Sequence, residues 1–394
     1  MTDKSNLTRR EFLAASATGL FALRGEWWNA RWPGESEGQL LYVGTYTIGT
    51  PSAGVYILRM DTRSGQLTQI ATVDVGPNPS YLAIHPNGRA LYAVNEVEKF
   101  NGVAGGGVSA FSIANPTGAL TQRNSQSSGG AGPCYVSLDH SGRLVLVADY
   151  DAGSIAVLPV RRDGSLAPAT QVIHHAGSGP VADRQADPHA HCIIADPSNR
   201  FVLAADLGAD RVFVYRLNVG AKSLTRVNGG EAVMRPGSGP RHIVFHPVLP
   251  IVYVANELAT TVSRLRFDPS RGRLRLLDDH STLPADWNGK NDTADIHISP
   301  SGRSVYVSNR GHNSIAVFSA ARSTGALTLD QIVPTEGATP RNFSLDPTGR
   351  WLLAANQDSN SIVVFNRDRG TGRLTPTQQR IAVPSPVCLK FRNQ

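Results

Sequence analysis

The chain is short of lysine, of cysteine and of long apolar runs, and each shortage excludes something. Only five of its 38 basic residues are lysines, and the arginines are dispersed, many of them after glycine in turns such as "NGR", "SGR" and "TGR". A net charge of +7 spread in this way reads as a solvated surface, so no nucleic-acid partner is expected. The three cysteines, Cys134, Cys192 and Cys388, have no paired spacing and each falls in an apolar run. That argues against a disulfide framework or a cysteine zinc site and for small core residues. No segment has the length and apolarity of a bilayer-spanning helix. There is no glycine-rich phosphate loop, no nucleophilic-serine motif and no cofactor signature, so no cofactor is expected.

The N-terminus differs from the rest. "LTRREFLAASATGLFAL" places Arg9-Arg10 before a short run rich in Ala, Gly and Ser, and resembles a twin-arginine export signal. Residues 1–34 are therefore expected to be signal and linker, and residues 35–394 the functional domain. The expected location is periplasmic or otherwise extracytoplasmic, with no stable membrane association after export; a cytoplasmic location is the alternative.

What the chain has in abundance is turns, with 38 glycines and 25 prolines, and a repeat. "HPNGRALYAVNE", "DHSGRLVLVADY", "DPSNRFVLAADL", "HPVLPIVYVANE", "SPSGRSVYVSNR" and "DPTGRWLLAANQ" recur at intervals of about 50 residues, the length of a four-stranded propeller blade. A third strand follows each, from "GVSAFSI" to "SIVVFNR". A fourth opens on a Gly-x-Leu signature, as in "GALTQ", "GSLAP", "GRLRL", "GALTL" and "GRLTP". Short runs of Val, Ile, Phe and Tyr between Gly/Pro/Asn/Asp clusters are strand chemistry. An unpartnered first strand, "PVCLKF", ends the chain, and an unpartnered second strand, "LLYVGTYT", begins the repeat. Pairing the two predicts an all-β, seven-bladed β-propeller whose ring is closed by N- and C-terminal strands sharing one blade.

In that fold the first strands begin, and the second strands end, around one funnel. The second-strand ends are Thr45-Tyr46, Asn95-Glu96, Asp149-Tyr150, Asp206-Leu207, Asn256-Glu257, Asn309-Arg310 and Asn356-Gln357. The first-strand starts bring Cys134, His189, His191, Arg241, His242, Asp295, His297, Arg341 and Asn342. Asn and Asp cap strands everywhere, which accounts for most of these positions. It does not account for the arginines, the glutamate and the histidines. His85, His140 and His246 fall in the outer turns and read as structural.

"PHAHCIIADPSNRFVLAADLGADRV", "GPRHIVFHP…YVANEL", "IHISPSGRSVYVSNRGHNSIAVF" and "ATPRNFSLDPTGRWLLAANQDSNSIVVF" together resemble the seven-bladed lactonase family, which includes the propeller type of 6-phosphogluconolactonase and the fungal carboxymuconate-lactonising enzyme. The resemblance runs from about Leu40 to the C-terminus. It implies 6-phosphogluconolactonase-like hydrolysis of a sugar lactone, a small-molecule substrate, without an obligatory metal. It carries the catalytic roles to His191 (or, of the same pair, His189), Arg241, Glu257 and Arg310. His189, His242, His297, Arg341, Asp206 and Asn309 are expected to bind substrate. "HPVLPI" in place of the family's usual turn, and the export-like N-terminus, are departures from its pattern.

The chemistry is coherent on these groups. Guanidiniums stabilise the oxyanion, one carboxylate or histidine deprotonates water, and the other group protonates the departing alkoxide. Residue types leave open whether Glu257 or His191 is the base. Three other readings stand beside hydrolysis: a carboxymuconate-type cycloisomerase, a non-catalytic propeller serving as an interaction platform, and a metal held by His189 and His191 with Glu257 or Asp206. Phe100 and Trp287 mark loops suited to partner contact or to a lid.

Overall fold

Each repeat pairs with itself in chain order. In the computed structural model, which describes residues 38–392, seven sheets each carry four antiparallel strands; one gains a short extra strand, Ala232–Val233. The inner strands of blades 1 to 7 are Leu82–Ile84, Pro133–Leu138, Ala190–Ala195, Pro240–Phe245, Asp292–Ile298, Pro340–Leu345 and Pro386–Phe391. The second strands of blades 1 to 6 are Ala90–Asn95, Leu144–Asp149, Phe201–Asp206, Ile251–Asn256, Ser304–Arg310 and Trp351–Asn356. Blade 7 takes its second strand, Gln39–Thr45, from the other end of the described chain. Leu41 pairs with Phe391 and Val43 with Leu389, which closes the ring as the sequence predicts. The twin-arginine segment lies outside the described residues.

Aromatic residues on the second strands join neighbouring blades. Tyr42, Tyr92, Tyr253 and Tyr306 donate their hydroxyls to the carbonyls of Gly118, Gly164, Gly325 and Gly372 in the following blade, at 2.6–3.0 Å. These are the glycines of the turn before the fourth strand, and all four sit at φ between 65° and 83°. A side chain there would strain the backbone, and at Gly372 an added Cβ would meet Ser304 Oγ at 2.0 Å. The Gly-x-Leu signature is thus a blade-to-blade latch. Trp351 plays the same part across the closure, donating its indole N–H to Thr62 O at 2.8 Å.

One expected strand is displaced. "GSLAP" does not open the outer strand of blade 2, which is Gln171–His174. Asn124 of blade 1 binds both the N–H and the C=O of Leu166, at 2.9 and 2.8 Å. Leu166 forms an isolated bridge with Val160, and Pro168, two residues on, lacks an N–H with which to extend the ladder. The outer-turn histidines are structural. His85 and His140 bond the carbonyls of Gly142 and Asp196 in the next blade, and His246 Nδ1 accepts the N–H groups of Val248 and Leu249 in its own turn.

Candidate active site

Strand pairing skips one residue near the start of the inner strands. Cys134, His191, Arg241 and Arg341 each fall between two paired residues of their strand, and Val387 falls between Pro386 and Cys388. In blade 5 the skip covers Ala294 and Asp295. A bulged residue opposes no partner and is re-aimed. Here five such residues meet: Cys134, His191, Arg241, Arg341 and Val387 line one depression, together with Tyr46, Ser80, Tyr81, Glu96 and His242.

The second-strand ends divide the labour differently. The first residue of each pair, from Thr45 and Asn95 to Asn356, is wholly buried. Asp206 accepts from the backbone N–H groups of His189 and Ala209 and pairs with His175 Nδ1 at 2.7 Å. Asn309 is held by Thr282, Asn291 and Ser314. Both were expected to bind substrate; both instead fasten strand ends to neighbouring loops. One residue later, Tyr46 and Glu96 line the depression, and Glu257 and Arg310 pair with each other.

Glu257 is enclosed by three guanidiniums. Its Oε1 accepts from Arg184 Nη2 at 2.5 Å and its Oε2 from Arg241 Nε at 2.8 Å, and Arg310 Nη2 forms an ion pair with Oε2 at 2.8 Å. Burial alone would raise its pKa; the charges of Arg310 and Arg241 outweigh burial and hold the carboxyl well below its ordinary range. Arg184 comes from the short helix Ala182–Gln185. The sequence does not single it out, because an arginine in a loop carries no period. Arg241 also donates through Nη1 to Ala294 O at 2.7 Å and faces His242 Nε2 at 3.1 Å. His242 therefore accepts there and donates through Nδ1 to Asp295, 2.7 Å away. Burial, with Arg241 adjacent, lowers the His242 pKa to about 4. Asp295 also binds His297 at 3.0 Å and Asn342 at 2.5 Å. His297 thus stands behind Asp295 and does not line the depression.

His191 is buried, and its Nδ1 lies 3.6 Å from Cys134 Sγ. Its Nε2 has no protein partner among the described residues. Burial first, then the charge of Arg241, pushes its pKa well below 6.5, so the ring is neutral. Cys134 is accordingly more than core filling, although burial keeps its thiol protonated. His189 has turned away: its ring stacks on Tyr150 at 4.4 Å and its Nδ1 meets Tyr150 O at 2.9 Å. With Asp206 on His175 and Glu257 saturated by arginines, the paired-histidine metal reading loses its ligands. Among the described residues no three His, Cys, Asp or Glu side chains gather as a metal set.

The opposite wall holds Glu96. Its carboxyl accepts from Tyr46 OH at 3.0 and 3.2 Å and contacts Ser80 Oγ. Arg341 lies over the Tyr46 ring at 5.3 Å and makes no protein hydrogen bond among the described residues. No ion pair among the described residues reaches Glu96, and burial raises its pKa despite Arg341 nearby. Phe100 lies against Gly107 in a short hairpin, and Trp287 packs edge-on against His312.

Comparison with known proteins agrees with this geometry. Residues 40–391 match a family described as "Lactonase, 7-bladed beta-propeller". A Bacillus subtilis protein named 6-phosphogluconolactonase is 40% identical over 353 residues, 90% of this chain and 98% of its own. A Formosa agariphila protein of the same name is 36% identical over 312 residues, 78% of this chain and 86% of its own. The solved structure of the Pseudomonas aeruginosa periplasmic gluconolactonase gives a TM-score of 0.85 at 36% identity, covering 90% of this chain and 99% of that one. Fold, funnel and relatives thus converge, and the chain belongs to the seven-bladed β-propeller lactonase family.

Proposed function

We propose that the protein is a 6-phosphogluconolactonase-like hydrolase that opens an aldonolactone in this depression. The observation carrying the proposal is one juxtaposition. A neutral histidine with an unpartnered Nε2 shares the space with two guanidiniums, Arg241 and Arg341, that retain unused donors. Water held at His191 Nε2 loses its proton as its oxygen attacks the lactone carbonyl. The charge developing on the carbonyl oxygen falls to Arg241, where a fixed cation away from bulk water is most effective. Glu257 is a poor base because both its oxygens are already occupied by guanidiniums. Its part is to fix Arg241, with Arg310 and Arg184 as the other members of the cluster. Arg341, which lies over the Tyr46 ring and makes no protein hydrogen bond among the described residues, suits an anionic substituent on the substrate. No comparable observation favours the cycloisomerase or the interaction platform.

The relatives' names supply two substrate forms, phosphorylated and not. Initial rates with 6-phosphogluconolactone and gluconolactone, for wild type and His191→Gln, test the reading. Hydrolysis of at least one, lost by about 10²–10⁴ in the variant, is expected; equal rates in the two proteins would sink it. Export follows from Arg9-Arg10, and the periplasmic Pseudomonas relative supports it. No helix among the described residues is long and apolar enough to cross a membrane. Replacing both arginines with lysine should hold the protein in the cytoplasm, and unchanged fractionation would remove the export claim.

A further inference from the structure

Glu96 occupies the same place in its repeat as Glu257, one residue past a buried asparagine at the end of a second strand. None of the site roles above uses it. Yet it lies in the wall of the same depression as His191 and Arg341, where hydrolysis leaves one demand unmet. Once water has attacked, the ring C–O bond must break, and the departing alkoxide needs a proton. His191 has just taken one and carries it on the side from which the water came.

We infer that Glu96 is a second catalytic residue of the lactonase reaction, the proton donor to the leaving ring oxygen. The inference rests on the hydrolase reading above. In the step, the tetrahedral intermediate collapses and the C–O bond pair passes to the ring oxygen. That oxygen takes the Glu96 proton, and the new carboxyl group forms at the former carbonyl carbon. Glu96 is left as a carboxylate and His191 as an imidazolium. Proton return from His191 to Glu96 through solvent restores both, so the balance is lactone plus water to hydroxy acid.

Geometry separates the two carboxyls. Glu257 has three guanidiniums within 2.8 Å; Glu96 has no ion pair among the described residues and touches two hydroxyls, Tyr46 and Ser80, which accept as readily as they donate. The charged and titratable groups around Glu96 are few. Burial favours the neutral acid, as does Asp151; Arg341 and the hydrogen bonds from Ser80 and Tyr46 favour the carboxylate, and burial outweighs them. Cys134 and Tyr46 remain neutral, each held above its usual pKa chiefly by burial. Two carboxyls whose surroundings drive them apart are how one site holds an acid and a carboxylate at the same pH.

The test is Glu96→Gln, which keeps size and hydrogen bonding but has no transferable proton. With an aldonolactone, whose leaving group is an alkoxide, kcat should fall by about 10²–10⁴. The wild-type decline in kcat at high pH should disappear in the variant. With dihydrocoumarin, whose phenolate leaves without help, the loss should be less than about tenfold; if wild type does not open it, the high-pH limb decides alone. Retention of kcat within about threefold, persistence of the limb, or equal losses on both leaving groups would each overturn the assignment. An unfolding curve for the variant no weaker than wild type at pH 7 excludes misfolding as the cause. If wild type opens no lactone at all, the hydrolase reading fails and this inference falls with it. If wild type and His191→Gln behave as expected while Glu96→Gln is unaffected, only the inference falls.

Discussion

Glu96 and Glu257 come from one repeat position in two blades, and the contrast between them shows what decides the character of a side chain. Both follow a fully buried asparagine; Glu257 is itself buried, and Glu96 is half-buried. Glu257 faces Arg184, Arg241 and Arg310; Glu96 faces Tyr46 and Ser80, with Arg341 near but unpaired. The first is fixed as an anion, and the second is pushed toward the neutral acid. The difference lies in which side chains surround each carboxyl. In one case they are Arg241 from the same blade with Arg310 and Arg184 from outside it; in the other, Ser80 from the same blade with Tyr46 from blade 7.

Removing the charge of Glu257 breaks the contrast most severely. Glu257→Gln leaves three guanidiniums without their shared carboxylate. Breaking a buried ion pair from one side costs about 3–5 kcal/mol. Urea unfolding should show that loss, along with a collapse in lactone turnover. The conservative Glu96→Gln should lose no stability at pH 7. Its carboxyl has a raised pKa in the fold, so its stabilising effect is complete below the unfolded value and is lost as pH rises through the folded one. The amide therefore matches or exceeds wild type at neutral pH.

Acid should separate the two walls next. His242 is lowered from 6.5 to about 4 in the fold. Its contribution is present above the unfolded pKa and is lost as pH falls toward the folded one, about 3 kcal/mol in all. The depressed His191 adds to the same slope, and Glu257 extends it below its unfolded pKa, whereas Glu96 opposes it. Melting curves between pH 7 and pH 4 should therefore fall for wild type and fall less for His242→Asn. The same groups shape catalysis. His191 must be neutral and Glu96 protonated, so kcat/KM is expected to be bell-shaped with its optimum on the acid side of neutrality.

Smaller effects sharpen the picture. Arg341→Gln should raise KM for a phosphorylated aldonolactone by roughly 10–100-fold, the value of one charge-assisted hydrogen bond, and raise it less for the unphosphorylated form. Equal shifts would show that Arg341 does not read an anionic substituent. Smallest of all, EDTA should change turnover less than about twofold, since the proposed chemistry runs on guanidiniums and imidazole.

The blade count and the ring closure were legible because strand chemistry repeats, and two orphan strands of complementary type identify each other. The funnel was legible only as a set of strand ends. Sequence could not tell which member of Asn95-Glu96 or Asn256-Glu257 is free for chemistry, since both are polar and only hydrogen bonding around the buried asparagine assigns the first to structure. It could not separate Glu257 from His191 as base, because the decisive Arg184 arrives from a non-repeating loop more than seventy residues away. His189 and His297 looked equivalent to His191 and His242; stacking on Tyr150 and pairing behind Asp295 remove them from the depression. A signal was present for Glu96, which shares the "NE" of Glu257, but it lacked the motif that drew attention to the other.

The skipped residues at the inner-strand starts carry a consequence for how such a protein changes over generations. A bulged side chain sits outside the ladder of backbone hydrogen bonds, so exchanging it leaves the blade's own pairing untouched. Cys134, His191, Arg241, Arg341 and Val387 are thus five independently variable addresses around one opening, insulated from the scaffold that presents them. Selection can try a new reagent at one address while the other blades keep the ring closed. Chemistry and architecture are inherited separately here, which lets one frame be refitted for different small molecules.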